Sequence, residues 1–161
     1  MTKPTNQFLT DTLEQCYKDG RIPCVDLLIM NDGGEILAQK RADNRRLFPG
    51  CWEVPGGHVE DGEGFEDTIR REIKEELDVD FGEFIAFVDA FDWESGDSKY
   101  RNFQFLGSTT GVPRLTEPEK TTELRWIHLG NLDTLLENRQ ADDDHHYRVV
   151  KKALAMIPDR I

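Results

Sequence analysis

Residues 57–79 read GHVEDGEGFEDTIRREIKEELDV. From Phe65 to Leu77 the pattern is helical. At about 100° per residue, Ile69, Ile73 and Leu77 form an apolar stripe that must be buried. Glu72, Glu75 and Glu76 lie on the neighbouring arc, spanning roughly 100° of it. Three carboxylates therefore sit along one edge of a docked helix, at the rim of whatever it packs against. Between Glu60 and Asp80 there are ten acidic residues and three basic ones, so like-charge repulsion is only partly offset by Arg70, Arg71 and Lys74. A solvated helix face would account for the triplet taken alone. The sharper reading is a divalent cation, because Mg²⁺ takes oxygen ligands and is shared between carboxylates and substrate phosphates.

Just upstream lies Pro55-Gly56-Gly57-His58. Two glycines let the main chain approach a ligand or metal closely, although the pair alone is an ordinary turn signal. Working outward, residues 5–19 carry Phe8, Leu9, Leu13, Cys16 and Tyr17 at near-helical spacing and are closed by Gly20. Strands are expected at 24–30 and 36–40, joined as a hairpin through Asn31-Asp32-Gly33-Gly34. Residues 41–50 form an arginine-rich loop, and 52–54 are extended. Two more strands, 84–93 and 100–108, flank the turn at 94–97, and a last strand covers 124–128. Helices are expected at 132–138 and 142–157. Strands mixed with three or four helices give an α/β or α+β sandwich. A length of 161 residues suits one domain running from 1 to 161, with a helix within 1–20 and further helices within 131–161.

The spacing from Gly57 is specific: five residues to Glu63, seven more to Arg71-Glu72-Ile73, one to Glu75-Glu76, one to Asp78-Val79. This closely resembles the signature of the Nudix (MutT-like) hydrolases. Every defined position matches except Asp78, where the family has glycine. That position follows the helix, where a left-handed cap is common, and Asp tolerates that conformation better than most residues. The box at 57–79 covers 23 of 161 residues. With the Phe48–Gly57 lead-in and Glu117-Pro118-Glu119-Lys120 ahead of Trp126, the resemblance spans roughly residues 24–130.

The resemblance implies an αβα sandwich with a mixed β-sheet and a catalytic loop–helix. It implies cleavage of a nucleoside diphosphate linked to another moiety, using Mg²⁺ or Mn²⁺. Glu72, Glu75 and Glu76 would hold the metal, and the Gly56 carbonyl would complete the shell. Glu63 would stand behind these ligands or reach the metal through water. Arg71 would orient the glutamates, since its guanidinium forks onto a carboxylate. Metal ions neutralise polyphosphate charge and acidify water, and a carboxylate then takes the proton. Glu75 and Glu119 are the candidates for that base, against the plainer reading of Glu119 as a solvated loop residue. Arg41 is a candidate phosphate contact or a surface arginine. Glu53, Gly57 and His58, beside the glycine bend, join it as expected substrate-binding residues.

Other features carry less. Asp142-Asp143-Asp144-His145-His146 reads as an acidic helix start favoured by the dipole. Asp78–Gly82 resembles half a calcium loop with its glycine one place early and no closing glutamate. Trp93, Tyr100 and Phe103 read as strand core rather than a base-stacking surface. No proline occurs between Asp80 and Val112, where ADP-ribose-cleaving relatives resemble one another in having one, and Tyr100 falls late for a dinucleoside-polyphosphate enzyme. The substrate expected is a nucleoside triphosphate, oxidised or non-standard bases included. A nucleotide-sugar or ADP-ribose diphosphatase is the alternative, and an isopentenyl diphosphate isomerase or a non-catalytic nucleotide sensor lies further off.

A net charge of −12 argues against long DNA or RNA as partner, because a basic face supplies most of that affinity. The longest apolar run, Val25–Met30, is interrupted by Asp26, and no membrane span is expected. The N-terminal MTKPTNQFLTDTLEQ lacks the apolar stretch of a secretory leader. Cys16, Cys24 and Cys51, an odd count at spacings of 8 and 27, fit reduced thiols in a cytoplasmic protein acting as monomer or homodimer.

Overall fold

A computed structural model of the chain describes residues 2–128, 130, 131, 133 and 145–156. Helix α1 spans Asn6–Lys18, with Thr5 capping it through a bond from the Phe8 amide at 3.0 Å. Strands β1 (Ile22–Ile29), β2 (Ile36–Arg41), β3 (Trp52–Glu53) and β4 (Gly56–His58) follow. Helix α2 (Phe65–Leu77) leads into β5 (Asp80–Ser95), β6 (Ser98–Thr110), β7 (Thr121–Ile127) and α3 (His145–Met156). The helix expected at 132–138 and the ends of the one expected at 142–157 lie outside the described residues, as do the side chains of the Asp142–His146 run.

The strands form two sheets. One is mixed, in the order β4-β1-β6-β5, with β1 and β6 parallel and the outer pairs antiparallel. The other is antiparallel, in the order β3-β2-β7. The hairpin expected between residues 24–30 and 36–40 is therefore corrected: the two strands touch only through a Met30–Ile36 bridge and then part into different sheets. The reason is burial. β1 is covered on both faces from Pro23 to Ile29, and its two edges are taken by β4 and β6. Its near-continuous apolar run is the pattern of an interior strand rather than of a hairpin arm.

Two apolar cores result. α1 and α2 cover one face of the mixed sheet, burying Ile69, Ile73 and Leu77 against Val25, Leu27 and Phe105. Each such side chain is worth about 1.5–3 kcal/mol when fully buried. The second core joins the two sheets and α3 through Leu28, Ala38, Trp52, Leu106, Val150 and Leu154. β6 alternates between the cores. Phe103 and Phe105 face α2, while Leu106 enters the second core, and Asn102 and Gln104 continue its face toward an open end between the sheets. Cys16, Cys24 and Cys51 are all buried, and none is in a disulfide.

Candidate active site

The open end between the sheets is a cavity of about 840 Å³. Glu72, Glu75, Glu76, Arg41, Glu53, Gly56, Gly57 and His58 all line it. Two elements position most of them, the glycine bend and α2. The Gly56-Gly57 bend is an edge strand paired to Val25 and Asp26. A Cβ on Gly56 would overlap the Asp26 carboxyl and the Val25 carbonyl, and one on Gly57 would overlap the Glu72 carboxylate. The glycines are there because two neighbouring elements occupy the space of side chains. α2 starts with the Gly64 amide held by Asp67 Oδ2 at 2.9 Å. It ends at Asp78 with φ 55° and ψ 42°, so the residue that departs from the family glycine adopts the left-handed cap expected of it. Lys74 at 3.2 Å and Arg114 at 2.9 Å hold its carboxylate.

Gly57→Ala is expected to leave stability nearly unchanged, because the backbone there is not left-handed and only the end of Glu72 must move. It is expected to lower kcat by about 10- to 100-fold, since a catalytic group displaced by about 1 Å loses that much. Thermal unfolding and initial rates on the same sample check both halves.

Arg71 organises the acids. Its Nε and Nη2 fork onto Glu63 at 3.0 and 2.9 Å, Nη1 reaches Glu72 at 2.7 Å, and Nη2 also donates to the His58 carbonyl at 3.1 Å. Glu75 lies 3.9 Å from Nη1. Glu63 additionally accepts from the Glu60 amide at 2.9 Å and Thr68 Oγ1 at 3.1 Å. The Arg71 guanidinium holds its carboxyl down at about 2. With its oxygens so engaged, Glu63 stands behind the site and does not line the cavity.

Glu72 and Glu76 differ from Glu63. Burial, joined by the neighbouring charge of Glu53 and Glu72, pushes Glu76 well above the usual carboxylate range. Burial also raises Glu72, against the pull of Arg71. The two carboxyls lie within hydrogen-bond reach of each other. Gln39 Nε2 donates to Glu76 and to Glu53, each at 3.2 Å, while Gln39 Oε1 is buried with no partner among the described residues. Among the described residues no three His, Cys, Asp or Glu groups already converge as a closed ion cage. The donor set nonetheless suits a hard cation: oxygens only, and crowded acids that a single arginine, Arg71, neutralises in part. Arg41 gives Nε to the Leu47 carbonyl at 2.8 Å and Nη1 to Glu53 at 3.1 Å, which leaves Nη2 without a partner among the described residues.

Glu119 is not brought to the cavity. It is exposed, and Glu117, two residues earlier, lines the wall instead. The Glu117 carbonyl accepts from the Lys120 and Thr121 amides at 2.9 and 3.0 Å, and that turn faces Glu117 inward. Lys120 Nζ holds its carboxylate at 2.8 Å. Sequence reading also passed over Gln39, Asp26, Asn102 and Gln104. Asp26 had announced itself only as a charge inside an apolar strand. Of the three aromatics taken as core, Phe103 is core, but Trp93 lies on the cavity wall, stacked on Tyr100 at 4.3 Å.

The family model for the NUDIX domain matches residues 20–151. Nucleoside triphosphatase NudI of Salmonella arizonae is 49% identical over 70 residues, which cover 44% of this chain and 46% of that protein. Its Escherichia coli counterpart is 46% identical over the same coverage. The match thus spans about half the length of these curated relatives. The crystal structure of a MutT NUDIX hydrolase from Burkholderia pseudomallei superposes with a TM-score of 0.66 at 27% identity, covering 82% of this chain and 97% of that one.

Proposed function

The chain belongs to the NUDIX domain family, and on that footing we propose that it is a Mg²⁺- or Mn²⁺-dependent pyrophosphohydrolase. Its substrate is a nucleoside triphosphate, oxidised or non-standard ones included, cleaved to monophosphate and pyrophosphate. The observation that carries this reading is the half-buried Glu72–Glu76 pair, facing a nucleotide-sized cavity beneath the Gly56-Gly57 bend and backed by the Arg71–Glu63 clamp. The NudI relatives are named as nucleoside triphosphatases, which agrees with it.

Glu72, Glu75 and Glu76, with the Gly56 carbonyl, would hold the cation. When bound, the cation screens the polyphosphate charge and lowers the pKa of water beside it. Arg71 fixes the Glu72 carboxylate, and Glu63 fixes Arg71. Arg41 presents its remaining Nη2 to a phosphate oxygen from the β2 end of the cavity. Glu117, oriented by Lys120, takes the proton of the attacking water at its carboxylate. This replaces Glu119, and it leaves Glu75 to the cation. Among the described residues no helix is long and apolar enough to cross a membrane. The buried cysteines, none in a disulfide, fit the cytoplasm, and the protein acts as monomer or homodimer on a small nucleotide.

The test is a panel of nucleoside triphosphates, nucleotide sugars and ADP-ribose with Mg²⁺, with pyrophosphate, phosphate and phosphomonoester products measured separately. Pyrophosphate from triphosphates, abolished by EDTA, is the expected result. Release of two monophosphates from nucleotide sugars or ADP-ribose alone would move the substrate class. Glu117→Gln should lower kcat by about 10²- to 10⁴-fold, the range for a general base, while Glu119→Gln stays within about twofold.

A further inference from the structure

The loop that carries Glu117 is tied to the end of the helix that carries the acids. β6 finishes at Thr110, paired with Asp80 at the start of β5, so the chain leaves the mixed sheet beside the C-terminus of α2. Carbonyls in the last turn of a helix have no partner within it and need donors from outside. This loop supplies donors to two of those in α2. The Arg114 amide donates to the Leu77 carbonyl at 3.1 Å. Thr116 Oγ1 donates to the Glu75 carbonyl. At the next residue, Glu117 lines the same cavity as Glu75. The far side of the loop is anchored separately, by the Ala42 amide on the Lys120 carbonyl at 2.8 Å. Glu117 is therefore suspended between α2 and the end of β2, and the α2 tie is the one that sets its distance to the acids.

Asp78 adds a third tie. Its Oδ2 accepts from Arg114 Nε at 3.0 Å and lies 2.9 Å from Nη2, while Lys74 Nζ lies 3.2 Å from Oδ1. The left-handed backbone at this position does not call for an aspartate, because glycine adopts it at lower cost. Capping alone leaves the carboxylate unexplained, and its grip on Arg114 explains it. The Arg114 side chain is 67% exposed, and an ion pair so open to water adds little to stability. Its effect is on where the loop lies rather than on whether the chain folds.

Building on Glu117 as the proton acceptor, we propose that Thr116, Arg114 and Asp78 are positioning residues. They strap the 111–117 loop to α2, so that Glu117 keeps its place against Glu72, Glu75 and Glu76. A carboxylate that takes a proton must stay within hydrogen-bond reach of the attacking water. Tying its loop to the main chain of Glu75 makes the base and the cation-holding acids one rigid unit.

The test uses the full chain with Mg²⁺ and a nucleoside triphosphate. Thr116→Val keeps the shape and removes the donor. It is expected to lower kcat about 10- to 100-fold, as for a catalytic group misplaced by about 1 Å, with KM unchanged. Thr116→Ser, which keeps the hydroxyl, should restore the rate. In a Glu117→Gln background Thr116→Val should cost nothing further, because its effect runs through that carboxylate. Amide hydrogen exchange at Arg114 should quicken at least about tenfold in Thr116→Val and in Asp78→Gly, since both loosen the loop from α2. An equal loss of kcat in both backgrounds overturns the proposal, because Thr116 would then serve the helix and not the base. Unchanged Arg114 exchange overturns it too, as does wild-type kcat in Thr116→Val where Glu117→Gln is impaired. If Glu117→Gln itself turns over like wild type, the base assignment fails instead, and quickened Arg114 exchange, which needs no turnover, upholds the strap. Should Thr116→Val not fold, Asp78→Gly carries the same comparisons on a backbone that suits glycine.

Discussion

Glu76→Gln is expected to lower kcat at least about a thousandfold, or roughly 4 kcal/mol of barrier, and to make the metal-free protein more stable. The two effects have opposite signs for one reason. Glu76 is enclosed between Glu53, Glu72 and Gln39, so its carboxylate suffers both burial and like charge. Gln removes the charge, keeps the shape and still accepts from Gln39. In EDTA the unfolding free energy should rise by about 1 kcal/mol, as for other relieved active-site strain. Added Mg²⁺ should then raise the melting temperature of wild type, because a ligand that binds only the native state stabilises it by mass action. The same addition should leave the variant nearly unmoved. Wild-type turnover by Glu76→Gln, or an unchanged metal response, would remove Glu76 from the cation site.

The second large effect belongs to Arg71. Arg71→Ala strands Glu63 and Glu72 without their shared partner and frees the His58 carbonyl. Breaking a buried ion pair by removing one partner costs about 3–5 kcal/mol, and this guanidinium is 25% exposed, so about 2–3 kcal/mol is expected. kcat should fall by about a hundredfold or more as Glu72 loses its anchor. Arg71→Lys should recover only part of either loss, since a point charge cannot fork onto Glu63 while reaching Glu72. The clamp also has a pH signature. Glu63 has a folded-state pKa near 2, below its unfolded value. Its stabilisation is therefore present above about pH 5 and is lost as pH falls toward 2. The stability gap between wild type and Glu63→Gln, measured by urea unfolding, should shrink across that window. A gap constant from pH 7 to pH 3 would show that the pair contributes nothing through charge.

Much of this was legible in local pattern. The period of Ile69, Ile73 and Leu77 defines α2 and its buried side, and the same arithmetic places Glu72, Glu75 and Glu76 on the adjoining edge. Local spacing also carried Asp78, whose left-handed backbone depends on its own short side chain. The β1–β2 hairpin failed because turn chemistry between 31 and 34 is local, whereas strand partnership is a competition. β1 gains more from two interior neighbours than from one sequential one. Glu117 and Glu119 show the limit within a loop: two similar side chains two residues apart, sorted only by the hydrogen bonds of the turn that carries them.

The amino-acid order alone determined the acidic helix, the glycine bend and the spacing between them, because each depends on residues within a few turns of one another. Tertiary structure decided which acids are buried together, which loop glutamate faces the cavity, and that Asp26 meets Asn102 and Gln104. The last of these joins residues 76 and 78 positions apart, and the parallel pairing of β1 with β6 brings them within hydrogen-bond range.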